Sequence, residues 1–160
     1  MPTITMCVHG NAFCSQQDVA RPFADFDGTY FWPNDVVVSD QGTPWGWGRT
    51  FFQGGWYHVA LPIIVDFEGL PTYVDEVTIL LDRQSMDFNE LHLWEGGVFF
   101  WTGAPADQAA RRLSFRPRDS SGQRLSMSAG LGISMHFTKT NDHGFLTFNS
   151  ASVSVRTTLP

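Results

Sequence analysis

The sequence has little charge, and almost none of its positive charge comes from lysine. Charged residues make up 16% of the 160 residues, whereas about 25% is usual for a soluble domain. Only one of the ten basic residues is a lysine, Lys139, and sixteen acidic residues bring the formal net charge to −6. An acidic chain repels the phosphates of a nucleic acid. We therefore expect no nucleic-acid partner.

Long apolar runs are also missing. No run approaches the roughly 20 residues that a membrane helix needs, so we expect no membrane span. Residues 1–7 contain no basic region followed by an apolar core, and such a pattern marks a secretory signal. We expect a cytoplasmic protein, with export by a route that uses no signal as the alternative.

Cysteine is scarce as well. Cys7 and Cys14 are the two cysteines of the chain, which is too few for a disulfide framework. We expect both thiols to be reduced, and a local bridge between them is the alternative.

Aromatic residues and turn-forming residues are abundant. Phe, Trp and Tyr make up 14% of the chain, which also has 15 glycines and 9 prolines. This composition is typical of a compact all-β domain. Apolar and polar residues alternate over several stretches, whereas no segment keeps a 3.6-residue period over ten residues. Strands are predicted at residues 3–9, 36–38, 56–65, 74–82, 90–95, 98–101, 113–115, 131–138 and 146–155.

Eight or nine strands in 160 residues predict one domain over residues 1–160. We expect a two-sheet antiparallel β-sandwich of jelly-roll-like type. An up-and-down barrel has the same periodicity and is the alternative. Gly96-Gly97 predicts a two-residue hairpin turn, and a single helical turn is expected at residues 107–110.

Three short motifs carry a resemblance to a known family. They are Val8-His9-Gly10, the segment from Gly55 through Trp56 and His58 to Pro62, and the segment 130–134, Gly-Leu-Gly-Ile-Ser. Together they resemble a family of uncharacterised bacterial β-sandwich domains. The resemblance implies the fold and implies no activity.

The segment 31–47 is the leading candidate for a ligand site. Tryptophan is costly to expose in a loop rich in glycine and proline, and sugar rings stack on such side chains while neighbouring polar groups orient them. A loop that covers the sandwich core and a contact with another subunit are the alternatives. The proposed ligand-binding residues are Trp32, Asn34, Asp35, Trp45 and Trp47.

Two weaker patterns are compatible with metal ions, although we expect no cofactor. Asp25 and Asp27 precede Gly28 and could offer oxygens to calcium, but Asx-turns explain such aspartates equally well. Cys7, His9 and Cys14 lie within eight residues and could belong to a zinc site. The alternative for this set is a strand-end histidine bound to the backbone.

An arginine-rich segment at residues 111–124 stands out in this acidic chain. Arg112, Arg116 and Arg118 could meet an anionic ligand or the acidic face of a neighbouring copy. A charged edge strand that resists aggregation is the alternative.

No catalytic motif is present. Glu90 and His92 share a strand face, but such pairs are common on exposed strands. We therefore expect a non-enzymatic binding module, lectin-like, that takes a glycan or another small molecule. A self-associating structural protein, forming a homo-oligomeric particle or filament, is the first alternative. A small β-barrel-type enzyme acting on an apolar ligand is the second.

Overall fold

The computed structural model describes residues 3–16, 36–38, 49–51, 54–105 and 110–157. The described residues form fourteen strands and one short 3-10 helix at Gly10–Ala12. The strands are β1 (Thr3–His9), β2 (Cys14–Ser15), β3 (Val36–Val38), β4 (Arg49–Phe51), β5 (Gly55–Leu61), β6 (Asp66–Phe67), β7 (Leu70–Pro71), β8 (Tyr73–Gln84), β9 (Met86–Glu95), β10 (Val98–Gly103), β11 (Arg112–Phe115), β12 (Leu125–Ser126), β13 (Leu131–Lys139) and β14 (Phe145–Arg156).

Two antiparallel sheets contain most of these strands. The first sheet has seven strands in the order β11-β8-β14-β4-β3, with β1 also paired to β14 and β12 to β8. The second sheet has five strands in the order β10-β9-β13-β5-β2. Spatial neighbours are mostly distant in sequence, and the first strand pairs with the last. This topology confirms the predicted two-sheet, jelly-roll-like sandwich and differs from an up-and-down barrel, in which consecutive strands pair.

Alternating burial explains why these segments are strands. In β8, Val77, Ile79 and Leu81 are fully buried, whereas Leu80 is 40% exposed. Every second residue therefore faces the other sheet, as the period of an extended chain requires. The same alternation buries the apolar residues of β5, β9, β13 and β14 between the two sheets.

Aromatic rings fill the centre of the core around Phe148. Phe13 stacks on Phe148 with 4.0 Å between ring centroids, and Phe51, Tyr57 and Phe137 surround the same ring. Gly10 makes the Phe13 contact feasible: a Cβ there would lie 1.8 Å from the carbonyl oxygen of Phe148. Only glycine allows the 3-10 turn to pass this close to β14.

The strand boundaries differ from prediction in two places. β5 ends at Leu61 rather than at residue 65, because Pro62 has no N–H to continue the ladder. Beyond it, residues 66–71 form the small β6–β7 hairpin. β9 begins at Met86 rather than at Glu90, and its pairing with β13 contains a bulge.

Three further expectations concern the hairpin turn, the helical turn and a membrane span. Gly96 and Gly97 have φ values of 52° and 93° and form the predicted two-residue turn between β9 and β10. The helical turn expected at residues 107–110 falls largely outside the described residues. In the part of the chain that is described, no helix has the length and apolar character to cross a bilayer.

Candidate functional site

The outer face of the second sheet carries large rings instead of small side chains. The alternation that buries Tyr57 and Val59 in β5 turns Trp56 and His58 outward. β9, β10 and β13 likewise present imidazole, indole and phenyl groups on this side. We call the set in mutual contact the ring face; its members are Trp56, His92, Trp94, Phe99 and His136.

The ring face is continuous across four strands. The Trp56 centroid lies 4.7 Å from that of His92 and 5.0 Å from that of His136. Phe99, which is 47% exposed, lies 5.1 Å from His92 and 5.5 Å from Trp94. Strands within a sheet are about 4.8 Å apart, so the rings span about 14 Å from β5 to β10.

Strand register determines which polar groups accompany the rings. His136 pairs with Trp56 on β5 and with Glu90 on β9. Nε2 of His92 lies 3.0 Å from a carboxylate oxygen of Glu90, to which it donates. A half-exposed carboxylate therefore lies beside the rings.

A buried serine anchors the neighbouring histidine. Ser134, 5% exposed, lies between His58 and His92 in register, and its Oγ is 2.7 Å from Nδ1 of His58. Burial lowers the pKa of His58, so its imidazole is neutral at pH 7. A serine–histidine pair can provide a nucleophile, but this hydroxyl is shielded from solvent. Its evident effect is to tie β5 to β13.

All of the residues predicted for the aromatic-loop and calcium sites lie outside the described residues. Those assignments stay predictions. The residues concerned are Trp32, Asn34, Asp35, Trp45 and Trp47 for the ligand and Asp25 and Asp27 for calcium.

The structure separates the members of the predicted zinc set. Cys7 and His9 face outward on β1 of the first sheet, whereas Cys14 lies in the second sheet, with Sγ 3.6 Å from the carbonyl oxygen of His58. Both cysteines are free thiols, so the alternative bridge is not formed. Among the described residues, no three His, Cys, Asp or Glu side chains form a group that could hold a metal ion.

The predicted arginine patch divides into two parts. Arg112 is exposed, and Nε of Arg116 lies 3.5 Å from a carboxylate oxygen of Glu76. Arg118, in contrast, belongs to a cluster on Asp75. The role of these arginines in an interface stays a prediction.

Asp75 holds three guanidinium groups at one end of the first sheet. Nε of Arg124 and Nε of Arg156 each lie 2.7 Å from its carboxylate, and Nη2 of Arg118 lies 3.8 Å away. Burial acts to raise the pKa of Asp75, but the hydrogen bond and charge of Arg124, together with Arg156, outweigh burial and lower it. The cluster fastens the segment 118–124 to β8 and β14.

Comparisons with known proteins support the fold. No family model matches the chain, and no curated protein matches it significantly, which is consistent with the resemblance to an uncharacterised family. A low-affinity xylan-binding module, CBM86 from Roseburia intestinalis, has a TM-score of 0.51 at 13% identity, covering 96% of each chain.

Two further solved structures have lower TM-scores. A CBM36 module solved with calcium and xylotriose has a TM-score of 0.46 at 7% identity, covering 92% of this chain and 98% of the other. The CBM36-1 domain of a xylanase from the hindgut metagenome of Trinervitermes trinervoides has a TM-score of 0.45 at 10% identity, covering 94% and 96%. Such scores do not establish a shared fold. The likeness to the CBM86 module shows that this chain shares the β-sandwich fold of that module.

Proposed function

We propose that the protein is a non-enzymatic carbohydrate-binding module and that the ring face is its contact surface. The continuous ring set centred on Trp56 is the observation that carries this proposal. Sugar-binding sites combine apolar ring surfaces with a few well-placed polar groups. Here His136 lies directly beside Trp56, and Glu90 lies beside His136 on the next strand.

The fold likeness adds independent but weaker support. The CBM86 module binds xylan, so a sandwich of this kind can present a glycan site. A fold serves many functions, and the argument therefore rests on the ring face. Its extent of about 14 Å suits a short oligosaccharide stretch rather than a single small molecule.

The segment 31–47 enters the proposal as an additional contact. Trp32, Asn34, Asp35, Trp45 and Trp47 would then supplement the ring face. Trp45→Ala tests this part separately from any change on the described strands.

Affinity electrophoresis in gels that contain soluble polysaccharides tests the proposal. We expect at least one neutral polysaccharide to retard the wild-type protein, and we expect Trp56→Ala to remove most of that retardation. Thr78→Ala, on the outer face of the first sheet, is the matched control and should migrate like wild type. No retardation across a broad polysaccharide panel, or equal retardation of all three proteins, would refute the ring face as a sugar site.

Self-association is a second candidate function, and one observation favours it. β10 is the last strand in the order of the second sheet, and its Val98 and Phe99 are 68% and 47% exposed. An uncharged apolar edge strand can pair with another copy. Light scattering across a concentration range tests this: a stable multiple of 17.9 kDa supports assembly, and a monomer at every concentration excludes it.

A further inference from the structure

Three residues in register across the second sheet form a row that contains a hydrogen-bond acceptor, a hydrogen-bond donor and an aromatic ring. Glu90 on β9, His136 on β13 and Trp56 on β5 are consecutive partners in the strand register. Side chains directly opposite on neighbouring antiparallel strands have Cβ atoms about 4.5–5.5 Å apart. The three side chains therefore lie along one row of about 10 Å, which a short oligosaccharide can span.

A β-bulge brings Asn89 into this row. The pairing of β13 with β9 passes from Glu90 directly to Phe88, so Asn89 is the extra residue. Bulges re-aim side chains and are enriched beside functional sites. The Nδ2 group of Asn89 donates to Nδ1 of His136 at 2.7 Å and to Oγ1 of Thr138 at 2.8 Å.

The hydrogen bond from Asn89 to Nδ1 sets the tautomer of His136. The amide nitrogen of asparagine is only a donor, so Nδ1 of His136 must be an unprotonated acceptor. In the neutral ring the proton then resides on Nε2, which is the nitrogen not engaged by Asn89. Asn89 is thus a positioning residue that makes His136 a neutral donor through Nε2–H.

Glu90 supplies the complementary acceptor. Its carboxylate receives Nε2–H of His92 through one oxygen, and a carboxylate has about four acceptor positions in total. Its side chain remains 46% exposed. The hydrogen bond from His92 holds Glu90 next to the rings without using up its capacity for a ligand.

We propose that the Glu90–His136 pair recognises two adjacent hydroxyl groups of an uncharged sugar stacked on Trp56. This inference rests on the proposed carbohydrate-binding function. One hydroxyl donates to the Glu90 carboxylate, and its neighbour accepts from Nε2–H of His136. A neutral donor next to a charged acceptor fits a diol, because hydroxyl groups both donate and accept.

The same geometry selects against acidic sugars. A uronate would bring its carboxylate towards Glu90, and like charges a few ångströms apart repel. Among the described outward residues of β5, β9 and β13, none is a lysine or an arginine that could offset this repulsion. The ligand class is therefore a neutral glycan with free vicinal hydroxyls.

Calorimetric titration with a neutral oligosaccharide and with its uronate counterpart tests this specificity. We expect the wild-type protein to bind the neutral sugar at least tenfold more tightly than the uronate. Glu90→Gln should weaken neutral-sugar binding about tenfold and should abolish the discrimination against the uronate. Asp87→Asn removes an exposed carboxylate from the same strand outside the row, and it is the control expected to leave both affinities unchanged.

Asn89→Asp tests the positioning role by reversing the polarity at Nδ1. An aspartate there favours a proton on Nδ1 of His136, so nitrogen chemical shifts of the ring should show the change of protonation. We expect the affinity for the neutral sugar to fall about tenfold while the fold, followed by amide spectra, is retained. Asn89→Ala leaves Nδ1 without a partner and should give a smaller loss. A proton on Nδ1 in the wild-type protein at pH 7, or unchanged binding by Asn89→Asp, would overturn the positioning role.

The two levels of proposal fail in different ways. If no glycan binds and Trp56→Ala changes nothing, the carbohydrate-binding function fails, and the diol inference fails with it. If neutral sugar binds through Trp56 but Glu90→Gln leaves both affinities unchanged, the diol inference alone is refuted.

Discussion

The outer faces of the two sheets are built on the same principle and carry opposite chemistry. On the first sheet, many outward positions of β1, β8, β11 and β14 hold small hydroxyl side chains, and Oγ1 of Thr5 lies 2.9 Å from Oγ of Ser154 across strands. Cys7, His9, Leu80 and Arg112 are among the larger or more reactive exceptions on this face. On the second sheet the corresponding outward positions hold the ring face. The small hydroxyl set comprises Thr5, Thr78, Ser114, Ser152 and Ser154.

The inward faces of the two sheets, in contrast, are both apolar and both buried. Burial therefore constrains every second residue of each strand and leaves the other half free to vary. Because one outer face is built largely from small hydroxyl side chains, folding alone does not require a cluster of indole and imidazole rings on the other. The difference between the outer faces is evidence about function.

The prediction with the largest expected effect compares two neighbouring residues of β5 that face opposite ways. Tyr57→Ala should lower the free energy of unfolding by about 3–5 kcal/mol, because Tyr57 is 1% exposed and contacts Phe51, Phe137 and Phe148. Trp56→Ala should cost clearly less, although it removes the larger side chain, since Trp56 is only half-buried. Urea unfolding of both variants measures the difference. Equal losses would mean that the ring face stabilises the fold as the core does.

How much of this was predictable from sequence differs between the fold and the site. The alternation at residues 3–9 and 131–138 predicted β1 and β13, because one buried face imposes a two-residue period. Gly96-Gly97 predicted the hairpin turn, because both positions need positive φ. The start of β9 was missed, because the bulge at Asn89 interrupts the alternation there.

The ring face could not be predicted in the same way. Trp56, His92 and His136 are 36 or more positions apart and become neighbours only because β13 pairs with both β5 and β9. Periodicity shows which way a residue faces, but it does not show which strands are adjacent. The pair Glu90 and His92 was noticed from sequence as two residues on one strand face, and its significance depends on the strand that lies next to it.

A second test asks whether the polar groups of the first sheet stabilise the fold rather than bind a ligand. Asp75→Asn should lower the free energy of unfolding by about 1–3 kcal/mol, because three arginines lose their shared carboxylate. Sugar binding should stay at the wild-type level. A loss of binding with unchanged stability would place a ligand contact on the first sheet and break the contrast.

For the same variant we also predict a change in how the free energy of unfolding depends on pH. The pKa of Asp75 is lower in the folded protein than its ordinary value near 4, so the unfolded chain takes up the proton first as the pH falls. Its contribution to stability is therefore present above about pH 4 and is lost as the pH falls through the folded pKa. Urea unfolding at pH 7 and at pH 3 should show a smaller acid-induced loss in Asp75→Asn than in wild type. An equal loss would show that the arginines do not hold this carboxylate in its charged form.

The smallest expected effect concerns His58, on the second sheet. Burial lowers the pKa of His58 in the folded protein, so between the ordinary value near 6.5 and the folded value the unfolded chain binds more protons. Stability should therefore fall as the pH drops from 7.5 to 5.5, a window in which serine and threonine hydroxyls do not titrate. His58→Gln should reduce that fall in melting temperature by about 1–3 °C, whereas His143→Gln, in an exposed turn, should leave it unchanged. If both variants keep the full wild-type fall, the pH dependence arises elsewhere, and His58 contributes as little to it as the hydroxyls of the first sheet.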